Sequence, residues 1–487
     1  MDTNEDDGKR GVIIVLVTIL SRVMGLMRTL FISNIYGAGD TADLINYSYS
    51  LPNQARKGLQ EGLGNVDLLS RLHNDKSYAE KCVRSILGLH FYVGLFLLAI
   101  SYPIGWMLMH FSSYTPELEM LGIHFYPFYL FSLLFYSISQ SLNAILQDQG
   151  HYRRGQVHPL VYSAIVLSGI AIFGRRHVFA FPLSLLVGSI VYFIITIIAL
   201  LRLGIRIGID FRIEKNLRKS YIKGNYMVIL YMLMNMVYYI SSSQSASGAT
   251  CFTLAHTLVL IPYSIILMLF TGLYYPRIAT CDRRGKRILI LDRAIEMLAM
   301  LMIPVAILLF TFSKEISVFL FEGGAFTKDN ALLVSKVIDL MTPGIVFMLL
   351  FGVLERIAFL EKKEGRVYIS LTSVTVIISV ILLTVGKSDI RIPAILFTLS
   401  NVLTSLILLF TTKAVNGKRM IKSLAGAVLI SAPMILLSCI WRGRGIFLFD
   451  VFDSKFLVLV TALVIGLIAM TMSYLIYYMM RNRNGRN

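Results

Sequence analysis

The chain has 487 residues, of which 56% are hydrophobic and only 15% charged, and its mean hydropathy is +0.70. A soluble domain must keep a wettable exterior, so this composition excludes a soluble enzyme. The net charge of +18 could suit a nucleic-acid binder, but its distribution along the chain points to a membrane surface instead, and no nucleic-acid partner is expected.

Apolar runs of about twenty residues recur, each long enough to cross the ~30 Å hydrocarbon core as a helix. They predict spans over 11–34, 41–60, 82–111, 121–147, 156–174, 178–201, 224–243, 250–275, 294–313, 331–354, 367–386, 392–412, 423–441 and 456–480. Barrel strands would instead give short alternating segments. The expected class is therefore an all-α polytopic membrane protein of about 14 transmembrane helices. Residues 1–10 form a polar leader, and the first run reads as a retained helix because no small-residue cleavage site follows it. The second run carries Asp43, Pro52 and Arg56 and is amphipathic, so it is expected to line an interior.

When the connections are numbered alternately, 34 of the 46 Lys and Arg fall on the side of the N-terminus, 9 on the other and 3 within helices. That bias fits the positive-inside rule with both termini cytoplasmic, and anionic headgroups account for most of the excess charge. A faint repeat is present at an offset of 210: Leu51-Pro52 aligns with Ile261-Pro262 and Gly62 with Gly272, each after a small-residue turn. It suggests two six-helix halves followed by two further helices. The corresponding boundaries are an N-terminal lobe at 11–203, a basic linker at 204–223, a C-terminal lobe at 224–412 and the two extra helices with a basic tail at 413–487.

Ionisable groups within a span are costly, and each raises a functional question. The first span contains Arg22 and Arg28, roughly 9 Å apart along a helix axis, with Gly25 between them leaving room for close approach. Two guanidiniums facing a wet cavity would form a phosphate receptor, because their planar forks match phosphate oxygens; the alternative is structural pairing of each arginine with an acid or a helix end. Asp43 either caps the second helix, neutralises an arginine or gates. Arg56 and Lys57 are either ligands or anchors at the inner face. Lys336 and Asp339 stand three apart and are expected to pair on one helix face. His256 and Glu296 are expected to be satisfied interior groups. No phosphate loop, HExxH motif, nucleophile elbow or paired acidic metal site occurs in the sequence. The four cysteines are widely spaced without metal-ligand spacing. Neither a cofactor nor covalent catalysis is expected.

Residues 21–62 resemble the MurJ/MviN family of lipid II flippases, within the multidrug/oligosaccharidyl-lipid/polysaccharide exporter superfamily. The matching residues are Ser21, Arg22, Gly25 and Arg28; Gly37-Ala38-Gly39; Asp43; Leu51-Pro52-Asn53 with Arg56; and Glu61-Gly62. Phe321 to Thr327 resembles the family's outer F-x-x-G-x-F-T loop. The resemblance implies two pseudo-symmetric lobes around a central cationic cavity, and lipid II (undecaprenyl-diphosphate-linked disaccharide peptide) as the substrate flipped across the bacterial cytoplasmic membrane. It assigns Arg22, Arg28 and Arg56 to the diphosphate and Gly25, Asp43 and Glu61 to gating. It puts His256 and Thr257 at the cavity face of the second lobe, where Thr257 stands in the place of a family arginine. Spans 224–243 and 367–386 lack the acidic residues that serve as sodium ligands in some members. Membrane lipids and cell-wall synthesis proteins are the other implied partners. The alternatives are an exporter of another polyprenyl-linked glycan or amphiphile, or a scaffold of wall synthesis that does not transport.

Overall fold

In the computed structural model the described residues are 20, 23–61, 76–148, 152–212, 215–281, 284–385, 389–412, 417–452 and 454–484. Their regular structure is helical, and every predicted span coincides with a helix over its described residues. Among the described residues eight helices are long and apolar enough to cross a bilayer, and a bent pair makes a ninth. Three shorter apolar helices, at 157–173, 229–242 and 460–472, occupy further predicted places. The remaining two are taken by a helix at 23–36 (α1) and by Asp40–Glu61 (α2).

The chain divides into two compact units, Met1–Thr250 and Cys251–Asn487. In the first, α2 packs against Pro116–Asp148 (α4) and Lys215–Ser242 (α7). Lys76–His110 (α3) packs on α4, and Ala180–Arg202 (α6) packs on both α4 and Tyr152–Phe173 (α5). Every residue from Ala42 to Ser50 is buried, so α2 is an interior helix and not a lipid-facing one. This explains how a helix with so many polar side chains can sit among spans: its Asn46, Ser48 and Ser50 satisfy themselves on carbonyls three or four residues back.

After α6 the chain runs extended over residues 205–210 along α3, with the Asp210 N–H donating to the Arg84 carbonyl at 3.1 Å. This strap explains Gly88, because a Cβ there would lie 1.9 Å from the Asp210 oxygen. Only glycine lets the strap lie on the helix at this point.

In the second unit, Gly248–Leu269 (α8, whose first turn belongs to the first unit) leads through a π-helical turn at Phe270–Tyr274 into Tyr275–Ala279 (α9). Lys328–Leu360 (α12) is central, packed by Arg284–Thr311 (α10), Ser313–Phe321 (α11) and Arg391–Thr412 (α14), with Glu364–Thr384 (α13) beside α14. The predicted span 423–441 is not one straight helix. Gly417–Ile430 (α15) and Ala432–Gly443 (α16) meet at Ser431 with a 59° bend. Pro433 stands in the first turn of α16, where its missing N–H costs nothing, and it disfavours continuation from α15. Lys455–Asn484 (α17) packs on α16 and α11.

The 210-residue repeat has a backbone counterpart. Gly37 and Ser247, 210 positions apart, both adopt left-handed φ, 70° and 61°, three residues before the 22-residue helix α2 and directly before the 22-residue helix α8. A non-glycine residue with left-handed φ also closes α12. Lys362, at φ 57°, follows the helix end, and the Lys363 N–H reaches back to the Ala358 carbonyl at 2.8 Å in a Schellman turn. Lys362 is exposed, so Lys362→Gly should relieve the left-handed penalty and raise stability by about 1 kcal/mol. Denaturant titration in micelles reads this shift, and an unchanged midpoint would contradict it.

Candidate functional site

In the first unit the residues singled out in the sequence lie on α1 and α2. Arg22 lies outside the described residues, and of Arg56 and Glu61 only the helical backbone is described, within α2. Arg28, half-buried on α1, places its guanidinium 5.4 Å from the centre of the Tyr49 ring on α2. Tyr49 is in turn wedged edge-on against Phe181 at 4.9 Å and tilted against Tyr129 at 5.4 Å. A cation on an aromatic face keeps its N–H groups free at the ring's edge, so the Arg28 fork is held in place without being consumed. One helical turn earlier, Gly25 has open space where a side chain would stand. Arg28 and Gly25 therefore present a fixed cation beside an unfilled position on the same helix face.

Asp43 neutralises no arginine among the described residues. It is buried on α2, and its Oδ1 accepts the backbone N–H of Thr250 at 2.8 Å, in the first turn of α8. That turn has N–H groups lacking intrahelical partners and carries the positive end of the helix dipole, so a carboxylate is favoured there. Asn46, three residues along α2, donates to Thr250 Oγ1 at 3.2 Å. The Ser247 hydroxyl donates to the Ala38 carbonyl at 2.6 Å. Gln244 donates to the Phe111 carbonyl at 2.7 Å and accepts from Ser113 at 2.7 Å, while the Tyr47 hydroxyl donates to the Leu108 carbonyl at 2.7 Å. Together these bonds tie the 37–39 turn, α2, the end of α3 and the 243–250 turn into one polar clasp at one end of the unit. Asn46, Thr250, Gln244 and Ser247 were not apparent as site residues in the sequence. The signal available was an interior face of α2 with Asp43, Asn46, Tyr47 and Ser50 at spacings of three and four.

Removing the Asp43 carboxylate leaves the Thr250 amide buried without its acceptor. Asp43→Ala should destabilise the protein by about 1–3 kcal/mol, while Asp43→Asn, whose amide oxygen still accepts, should retain most of that. Thermal unfolding of the two variants at equal detergent checks the order, and equal losses would contradict it.

In the second unit His256 is buried on α8, stacked on Phe252 with ring centres 5.6 Å apart and edge-on to Phe397 of α14, also at 5.6 Å. It is an interior aromatic group, as the sequence suggested. Thr257 beside it is half-buried. The expected Lys336–Asp339 pair does not form. Asp339 faces Arg442 of α16, with Nη2 to Oδ1 at 2.6 Å and Nη1 to Oδ2 at 3.0 Å, while Lys336 is exposed. Next to this pair, Glu315 accepts Trp441 Nε1 at 3.3 Å and the Leu448 N–H at 3.4 Å, and burial pushes its carboxyl up. Among the described residues no group of three or more His, Cys, Asp or Glu could hold a metal ion, and all four cysteines are free thiols.

The profile of the family described as "Lipid II flippase MurJ" matches residues 32–465. A probable lipid II flippase MurJ of Borreliella burgdorferi is 21% identical over 363 residues, 72% of either chain. One from Rhizobium tropici is 22% identical over 486 residues, covering 94% of this chain and 85% of the relative. A solved structure of a lipid II flippase MurJ in an inward closed conformation superposes with a TM-score of 0.79 at 19% identity, over 96% of this chain and 99% of the other. With a profile match running from the first helix to the last, the chain belongs to the MurJ family of lipid II flippases.

Proposed function

We propose that this protein carries lipid II from the cytoplasmic to the outer leaflet of the bacterial inner membrane by alternating access, as a transporter and not an enzyme. The observation that carries this reading is family membership across residues 32–465. The chemistry fits it. A lipid with a bulky anionic head needs fixed cations in a cavity opened to each side in turn, and no bond is made or broken. In this reading Arg22, Arg28 and Arg56 bind the diphosphate, which the planar guanidinium matches bidentately. Arg28 is supported by its perch on Tyr49, which leaves its donors available. Gly25, Asp43 and Glu61 serve the gate: the Asp43 clasp to Thr250 closes one end, and opening it requires giving up those buried bonds. On α8 the half-buried Thr257, where the family pattern has an arginine, is the second lobe's candidate for a substrate contact, while His256 is packed between Phe252 and Phe397 and serves as interior support. Both termini face the cytoplasm, the orientation the Lys and Arg distribution favours.

The test is rescue of a bacterial strain depleted of its own lipid II flippase, with the wild-type chain expressed at verified membrane levels. Growth with normal cell shape is the expected result. Lysis despite full expression, in hosts of more than one species, would overturn the assignment of substrate.

A further inference from the structure

We infer that the first unit holds a site for an anionic glycerophospholipid, an apolar groove between α3, α4 and α6 closed at one end by a strap that carries Arg206 and runs beside Arg84, apart from the arginines assigned to the substrate. The groove has a volume of about 510 Å³ and its lining is almost wholly apolar, including Leu87, Phe91 and Leu95 of α3, Ile138 of α4 and Phe193 of α6. Its floor at one end is the 205–210 strap, which contributes Ile207, Gly208 and Ile209. Phe91 and Leu95 are largely exposed, so the groove opens sideways toward the hydrocarbon, where an acyl chain is the available filler.

The strap makes this more than a gap between helices, because it brings charge to the groove's end. Arg84 lies over Gly208: a Cβ at Gly208 would stand 3.4 Å from Arg84 Nε and 3.5 Å from its Cγ. Arg206 sits between the buried Ile205 and the lining residue Ile207, and both arginines are exposed. Two acids lie nearby, and each is seen to accept a backbone N–H. Glu80 accepts the Arg206 backbone N–H at 3.0 Å, and Asp210 accepts the Arg212 backbone N–H at 2.8 Å. Among the described residues neither guanidinium forms a salt bridge. Phe211 packs edge-on against Phe91 at 5.5 Å and Tyr92 at 5.9 Å, an aromatic cluster of the kind found at headgroup depth. An apolar slot whose closing strap carries Arg206 and lies against Arg84, beside an aromatic cluster, matches a lipid whose chain fills the slot and whose phosphate meets the basic residues at its end.

Native mass spectrometry of the full-length protein, titrated with phosphatidylglycerol or with phosphatidylcholine of the same chains, tests the site. Wild type should retain phosphatidylglycerol preferentially. Each arginine near an anionic headgroup contributes about fivefold, so R84Q/R206Q should cut that retention by about 25-fold while leaving phosphatidylcholine unchanged, and R84K/R206K should keep most of it. Leu95→Trp, which fills the slot, should reduce retention of both lipids. Retention of phosphatidylglycerol by R84Q/R206Q at the wild-type level would overturn the proposal. So would its displacement from wild type by an equal concentration of undecaprenyl diphosphate, since the groove would then be a path for the substrate's tail.

Discussion

Arg28→Ala should abolish rescue of a flippase-depleted strain while the protein reaches the membrane at wild-type abundance. Arg28 lies on α1 against Tyr49, and among the described residues no carboxylate pairs with it. Its loss therefore leaves no buried counter-charge stranded, and the cost in stability is that of one cation–π contact, about 1 kcal/mol. A charged hydrogen bond to the diphosphate is worth about 1.5–3 kcal/mol, and a bidentate one lies at the top of that range, so substrate capture should fall by roughly one to two orders of magnitude. The conservative exchanges separate the two contributions. Arg28→Lys keeps the charge but loses the fork, and should rescue partially. Tyr49→Phe keeps the ring and should rescue fully. Tyr49→Leu frees the guanidinium from its perch and should lower the rate per molecule, with a further loss of abundance because its ring also packs on Phe181 and Tyr129. Full rescue by Arg28→Ala at matched levels would leave the family assignment standing and remove Arg28 from the substrate site.

The fold was legible in the sequence because apolar runs long enough to span a bilayer carry their own signal, and over the described residues each predicted span is helical, 423–441 as a bent pair. The site was legible in part, and the boundary follows sequence distance. Arg28 and Asp43 stand out because charge within a span is rare. Their partners do not stand out, since Tyr49 is 21 positions from Arg28 and Thr250 is 207 from Asp43. Composition says that a buried carboxylate needs a donor, but not which one. The same limit explains the error at Asp339, where the residue three positions away, Lys336, was the nearest cation in sequence, while the actual partner is 103 positions distant on another helix. A helical spacing of three permits a pair without requiring one, and a long-range bidentate arginine outcompetes a lysine that can point its ammonium outward. The bend at Ser431 had a signal in Pro433. It was outweighed by a continuous apolar run, because hydropathy records length and not direction.

The second large effect concerns that long-range pair. Arg442→Ala should destabilise the protein by about 3 kcal/mol, the cost of leaving one member of a buried ion pair without its partner. Both side chains are about four-fifths buried, at 23% and 21% exposure. Both Nη groups of Arg442 are used: they hold both Asp339 oxygens, the Ser313 hydroxyl at 2.7 Å and the Phe310 carbonyl, and the guanidinium stacks 4.6 Å above the Phe310 ring, while Nε is buried without a partner. Ser313 donates back to Asp339 Oδ1 at 2.6 Å. These bonds fasten the C-terminal end of α16, past the 59° bend, to α12 and to the junction of α10 and α11. Unfolding followed by the fluorescence of Trp441, which neighbours Arg442 and bonds Glu315, should show a lower midpoint for Arg442→Ala and for Asp339→Ala. The double replacement Asp339→Leu with Arg442→Met should recover most of the loss, since neither charge is then stranded. Arg444→Ala, at an exposed position two residues on, is the control, and a loss for Arg442→Ala no larger than the control's would refute the clamp. In cells this variant should lower abundance and leave the transport rate per molecule near wild type. Arg28→Ala should do the reverse, and the two variants together would separate the residues that hold the protein together from those that bind its substrate.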